Sequence, residues 1–308
     1  MKKFNPINNK RLVYIEKQNI SLLTSDGIEL SATLLAPENP KALIQFNSAT
    51  AVPKEFYRAL ATYFGEKKYA CLLYDYRGVC DSQPKEGLKN CEYDLLDWGK
   101  KDMAAGISFL KNRYPDLPLF FISHSVGGQL IPFVPNIDEV NGMVCVATSS
   151  GYRGGMPLSK KLNSLLFFDI IAPIVHLLYG FSKLKFLGVM EDMPKNVTNT
   201  WKRWCKYPDY FYHPDNAKDI PELSNPKVFN FPITVITATD DDICTAQNVE
   251  NLWRNVKTKT PVDFKWLKPE DFNLKGIGHF NFFRRRKLNT LWPIAFNQIE
   301  KYYEQNRN

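Results

Sequence analysis

The chain has 308 residues, 44% hydrophobic and 23% charged, with 20 Pro and 16 Gly, a composition that excludes disordered, collagen-like and coiled-coil architectures. Its 40 Lys and Arg against 32 Asp and Glu give a net charge of +8, but the one dense basic run, Arg284-Arg285-Arg286-Lys287, has no zinc-finger, RNP or phosphate-loop motif beside it. Nucleic acid is therefore not an expected partner. Six cysteines occur without a C-x-x-C pair, and Met1-Lys2-Lys3-Phe4-Asn5-Pro6 lacks an apolar signal core, so a reduced cytoplasm is the expected location.

In chain order, the β-prone runs Ile20–Leu23 and Ile28–Leu35 flank Ser25-Asp26-Gly27, whose Asp-Gly pair supplies the positive φ angles of a tight hairpin. An apolar strand follows at Ala42–Phe46, a helix after Pro53 and a strand at Ala70–Tyr74. Then come a long amphipathic helix from about Tyr93 to Tyr114, a strand at Leu119–Ile122, a helix from Ser125 and a strand at Met143–Ala147. This alternation builds a mostly parallel α/β sheet. It breaks over residues 152–231, a helical, apolar and aromatic insertion, and resumes with a strand at Ile233–Ala238. A helix near Ala246–Val256, a strand at Val262–Leu267, a loop holding His279 and a final helix from about Lys287 to Tyr303 complete the pattern. Within the insertion, Leu162–Phe181 has the length of a membrane span but contains Asn163, Asp169, Pro173 and His176, which favours a buried or lid helix.

The chemistry concentrates in Leu119-Phe120-Phe121-Ile122-Ser123-His124-Ser125-Val126-Gly127-Gly128, an apolar strand running into a small-x-Ser-x-Gly turn. This is the nucleophile-elbow pattern, in which a sharp strand-to-helix turn presents one hydroxyl above the sheet. Ser123 stands where the first Gly is usual. A serine hydroxyl is a poor nucleophile until a general base takes its proton, and that base needs an orienting carboxylate. On this kind of sheet the order is Ser, acid, His. Of the four histidines, His124 adjoins the elbow and is expected to point elsewhere, while His176 and His213 fall in the insertion. His279, in the Gly-flexed stretch Lys275-Gly276-Ile277-Gly278-His279, is the base candidate. Asp240, Asp241 and Asp242 follow the strand at 233–238, and physical reasoning alone does not rank them.

With these residues in place the chain resembles the α/β-hydrolase superfamily over about residues 20–305, especially the bacterial hydrolases grouped with the serine aminopeptidase (S33) and monoglyceride-lipase-like branch. Asp75-Tyr76-Arg77-Gly78-Val79-Cys80-Asp81-Ser82 is similar to its D-x-R-G-x-G-x-S segment, with Cys80 for the second Gly. The resemblance implies an eight-stranded, mostly parallel sheet flanked by helices, with 1–151 and 232–308 forming the core and 152–231 a helical cap. The family's G-x-x-D-x-[IV] pattern maps onto Ala238-Thr239-Asp240-Asp241-Asp242-Ile243, which implies Asp241 as the acid and leaves Asp240 in reserve. Asn47-Ser48-Ala49-Thr50 takes the place of the usual H-G-x-x, so the amides of Ala49 and Val126 are the implied oxyanion donors.

The expected function is hydrolysis of a carboxylic ester, amide or peptide bond through an acyl-enzyme on Ser125, with no metal or organic cofactor. A small or lipid-like ester is favoured over a peptide because the insertion offers no cluster of acids to grip a free amino terminus, and its six aromatics between residues 201 and 212 are expected either to pack the cap on the core or to line an apolar acyl pocket. Peripheral contact of the cap with a membrane is a further expectation. Two alternatives share the pattern: acyl transfer by the same triad, and a non-catalytic binding protein of this fold.

Overall fold

The computed structural model describes residues 14–188 and 190–307; the stretch Met1–Pro6 lies outside the described residues. The hairpin forms as strands β1 (Ile15–Leu23) and β2 (Glu29–Pro37), antiparallel, with Gly27 at φ 82° in the turn. The remaining strands of the main sheet are β3 (Ala42–Asn47), β4 (Tyr69–Tyr74), β5 (Leu119–His124), β6 (Val140–Val146), β7 (Ile233–Ala238) and β8 (Asp263–Leu267). Their order across the sheet is β1-β2-β4-β3-β5-β6-β7-β8, parallel from β4 onward. Every residue of β3, β4, β5 and β7 is buried, which is why these strands appear in the sequence as continuous apolar runs rather than alternating ones.

Helices cover the sheet. α1 (Arg58–Gly65) packs on β4, and α2 runs over 95–113 with a wide π-type turn at Trp98–Met103. Its start is fixed by a capping box, in which Asp94 accepts from Leu96 N–H and Asp97 accepts from Asp94 N–H. After β5 comes only a four-residue helix, α3 (Val126–Gln129), shorter than its apolar sequence suggests because Pro132 follows within a turn. Two helices after β7, α6 (Ala246–Trp253) and α7 (Trp292–Gln305), complete the layers.

The loop after β4 is fixed by buried charge. Asp75 accepts from both the N–H and the Nζ of Lys54 at 2.7 Å, while Arg77 donates through Nε to Asp102 at 2.6 Å and through its terminal nitrogens to Asp26 of the hairpin turn. Cys80, in the place of a usual Gly, has φ 47°, so the turn keeps the conformation that favours glycine. In the basic run Arg284, Arg285 and Arg286 are exposed. Lys287 is buried, and Arg284 lies over the Phe56 ring, 5.0 Å from its centroid.

Between β6 and β7 the chain is mostly helical, with α4 (Leu158–Tyr179) and α5 (Lys195–Trp204) its longest elements. A two-residue parallel pair joins Val228–Phe229 to Lys257–Thr258. α4 is not buried in the core. Phe168, Ala172 and Val175 face inward, whereas Leu158, Leu162, Ile170, Ile174, Leu177 and Leu178 are exposed. Of the aromatics at 201–212, Trp204, Tyr210 and Phe211 are buried, and Tyr207 stacks on His213 with centroids 3.6 Å apart.

Candidate active site

Ser125 occupies the turn between β5 and α3 at φ 51°, ψ −115°, a conformation that favours glycine and that costs an ordinary residue about 1–3 kcal/mol. The turn is held by Ser125 N–H donating to the Val146 carbonyl at 3.0 Å and by the Gly128 and Gln129 amides donating back to the Ser125 carbonyl. Two glycines make it possible. A Cβ on Gly127 would lie 2.3 Å from the Asn47 carbonyl oxygen, and one on Gly128 would lie 2.5 Å from Thr148 Oγ1. Ser123, the small residue two positions before the elbow, is buried and accepts from Asn47 Nδ2 at 3.0 Å.

His279 and the acidic cluster meet at the ends of β7 and β8. His279 Nδ1 lies 2.8 Å from Asp241 Oδ2, and the Asp241 side chain is fully buried. Burial works to raise the Asp241 pKa, but the His279 ring and the amides of Cys244 and Ile243, each 2.9 Å from Oδ1, outweigh it and hold the carboxyl below its usual range. Asp240 performs a different task. Its two oxygens accept from Ile277 N–H at 2.9 Å and Gly278 N–H at 3.0 Å, so it fixes the loop that carries His279 rather than the imidazole. Asp242 is exposed. The choice among three adjacent aspartates, open in the sequence, is made by which carboxylate faces the ring.

Sequence reasoning missed His124. Its Nε2 lies 2.9 Å from the His279 carbonyl oxygen, which only accepts, so Nε2 carries the proton. Nδ1 then accepts from the Tyr57 hydroxyl at 2.8 Å, and that oxygen accepts from Ala49 N–H at 2.9 Å. Burial, and then the neighbouring His279, push the His124 pKa well below the usual value and keep the ring neutral. The result is a chain of hydrogen bonds from the loop after β3 to the loop carrying His279, passing beside the elbow. The His124 and His279 rings are 5.2 Å apart between centroids. The only sequence signal for this was the position of His124 next to the elbow, and Tyr57 gave none.

The same chain changes the status of Ala49. Its amide, an implied oxyanion donor, is already donated to Tyr57. The Val126 N–H, at the first turn of α3, has no protein acceptor among the described residues, nor does that of Thr50. No hydrogen bond joins Ser125 Oγ to His279 among the described residues; such contacts are often long before substrate binds and tighten in the complex.

Ser125 opens onto a cavity of about 410 Å³. Its walls are largely apolar, with Phe167, Phe168 and Ile171 of α4, Trp201 of α5, Leu184 and Met190 lining it, and Thr50 and Gln129 contributed by the core. Gln129 is locked by Tyr210 OH, which donates to Oε1 at 3.0 Å, and by its own donation to the Ser149 carbonyl. Among the described residues no cluster of His, Cys, Asp and Glu has the arrangement of a metal site.

Residues 38–186 match the model of a family described as serine aminopeptidase, S33. Among solved structures, a soluble variant of monoglyceride lipase from Saccharomyces cerevisiae, in complex with a substrate analogue, aligns with a TM-score of 0.62 at 14% identity, over 97% of each chain. A highly thermostable carboxyl esterase from Bacillus coagulans, in complex with glycerol, aligns at a TM-score of 0.61 and 15% identity, over 94% of this chain and 100% of that one. DcsB, in complex with its substrate analogue, gives a TM-score of 0.63 at 14% identity, again over 94% and 100%. No curated protein matches the sequence.

Proposed function

We propose that the chain, which has the α/β-hydrolase fold and matches the serine aminopeptidase (S33) family model over residues 38–186, is a serine hydrolase that cleaves carboxylic esters of small or lipid-like acyl groups through an acyl-enzyme. The observation that carries this is a strained serine facing an apolar cavity, with an imidazole bonded to a buried carboxylate and its ring centroid 5.2 Å from that of His124, the residue before the serine. Ser125 Oγ attacks the carbonyl carbon while His279 Nε2 takes the hydroxyl proton, and Asp241 holds Nδ1–H and stabilises the imidazolium that forms. Collapse of the tetrahedral intermediate passes that proton to the leaving alcohol. Water, deprotonated by the same imidazole, then attacks the acyl-enzyme and releases the acid and Ser125.

Val126 N–H is the oxyanion donor retained here, being unspent and next to the nucleophile. Thr50 N–H is the second, because the Ala49 amide is engaged by Tyr57 and Thr50 lines the cavity. The segment 152–231 serves as the cap, supplying the apolar walls that face Ser125 and favouring acyl chains over charged groups.

A fluorophosphonate probe is expected to label the protein once and to leave Ser125→Ala unlabelled. A series of p-nitrophenyl esters of rising acyl length should then show an optimum that moves to longer chains in Trp201→Ala, which deepens the cavity. Undiminished labelling of Ser125→Ala overturns the nucleophile assignment. Binding of esters without turnover by an otherwise intact protein would instead favour the non-catalytic alternative.

A further inference from the structure

α4 is apolar on both sides. Its inner side, through Phe167, Phe168 and Ile171, walls the cavity onto which Ser125 opens. Its outer side repeats exposed leucines and isoleucines at helical spacing: Leu158, Leu162, Leu165, Ile170, Ile174, Leu177 and Leu178, while the half-exposed Leu166 reaches the cavity rim. Leu177 is 86% exposed, Leu158 70% and Leu178 68%. At 1.5 Å per residue the 22-residue helix extends for about 33 Å, so this is one contiguous stripe and not scattered surface leucines.

The charges around the stripe are almost all positive or neutralised. Lys161 stands in its first turn with no ion-pair partner among the described residues, beside Lys160, which lines the cavity, and Lys183 follows its end, over the Tyr179 ring at 4.3 Å. The helix's one acid, Asp169, is paired with Arg153 at 2.7 Å and Lys202 at 2.8 Å. An apolar stripe edged by unpaired lysines, on a chain of net charge +8, matches the boundary between headgroups and acyl chains in an anionic bilayer. It does not match a span. Phe168, Ala172 and Val175 are packed into the protein, so lipid cannot surround the helix.

We propose that the outer face of α4 docks the protein on the surface of anionic phospholipid bilayers, with the leucine and isoleucine stripe inserted and the lysines at headgroup level. The cavity lies directly behind the docked helix, so a membrane-borne ester reaches Ser125 past α4 rather than from bulk water. That consequence, but not the docking, rests on the hydrolase function proposed above.

The test is co-sedimentation of the full chain with vesicles of phosphatidylcholine alone and with about one third phosphatidylglycerol. Binding to the anionic vesicles is expected to be at least ~10-fold tighter and to weaken at high salt. Leu162→Ser, Ile170→Ser and Leu177→Ser together touch no cavity-lining position and are expected to lower that binding by ~10-fold or more, with the thermal melt and probe labelling of Ser125 kept. Lys161→Glu should remove the preference for anionic lipid and leave the weaker binding to neutral vesicles. No binding to either vesicle overturns the proposal, as does binding that the triple variant leaves undiminished. A stable dimer by light scattering that the triple variant converts to monomer also overturns it, assigning the stripe to a second copy of this chain. Lost labelling with intact vesicle binding would sink the hydrolase function alone.

Discussion

At the ends of β5, β7 and β8, Asp240, Asp241, His124, His279 and Tyr57 are bonded to one another or to backbone amides and carbonyls, whereas the outer face of α4 leaves a row of large apolar side chains with nothing against them. The first region is over-determined: Asp241 is held by three partners and the His279 loop by Asp240 and His124 together. Such redundancy is what allows Ser125 to keep a strained backbone. The second region has the opposite character, since a helix packed on one side only gains stability from its inner face and is left with an outer face that water does not favour. Precision belongs to the strand ends and access to the helix.

The largest effect that separates the two regions is on turnover. Ser125→Ala is expected to lower kcat/KM toward a p-nitrophenyl ester by about 10⁴-fold or more while leaving vesicle binding unchanged. If vesicle binding fell as well, the two regions would not be independent. Next, His124→Phe breaks the chain between the loop after β3 and the His279 loop and should cost about 10- to 100-fold in kcat at nearly constant KM, since it displaces the proposed catalytic groups without touching the cavity. Tyr57→Phe removes the donor to His124 and should act in the same direction by a smaller factor; wild-type kinetics in both variants would reduce the chain to packing.

Smaller effects test the strain and the charge. Ser125→Gly and Ser125→Ala both lack the hydroxyl, but only glycine relaxes φ 51°, so the glycine variant should be about 1 kcal/mol the more stable in chemical denaturation. Equal stability would mean that the elbow stores no strain. The smallest effect is on pH. Asp241 has its folded pKa below the usual 3.8, so as pH falls the unfolded chain binds the proton first. Its contribution is present above that value and is lost as pH drops through the folded pKa. Asp241→Asn should therefore flatten the decline of stability below about pH 4.

Much of the fold was legible because its signals are local. The fully apolar runs of β3, β4, β5 and β7 announce strands buried on both faces, and Asp26-Gly27 announces the hairpin. The π-type turn in α2 was not legible, because no residue type demands it. The shortness of α3 was partly so, through Pro132.

What the sequence determined by itself was the alternation of strand and helix, the elbow at Ser125 and the order in which acid and base candidates follow it, because strand burial, glycine geometry and chain order are properties of neighbouring residues. Which aspartate faces His279, that Asp240 ties down a loop, that His124 and Tyr57 link two loops and engage the Ala49 amide, and that α4 leaves its outer stripe bare were decided by the tertiary structure alone. Each of these depends on which atoms from distant segments arrive within about 3 Å of one another, or on which face of a helix finds a neighbour. A one-residue register among Asp240, Asp241 and Asp242 is invisible to composition and periodicity, yet it changes which carboxylate holds the imidazole.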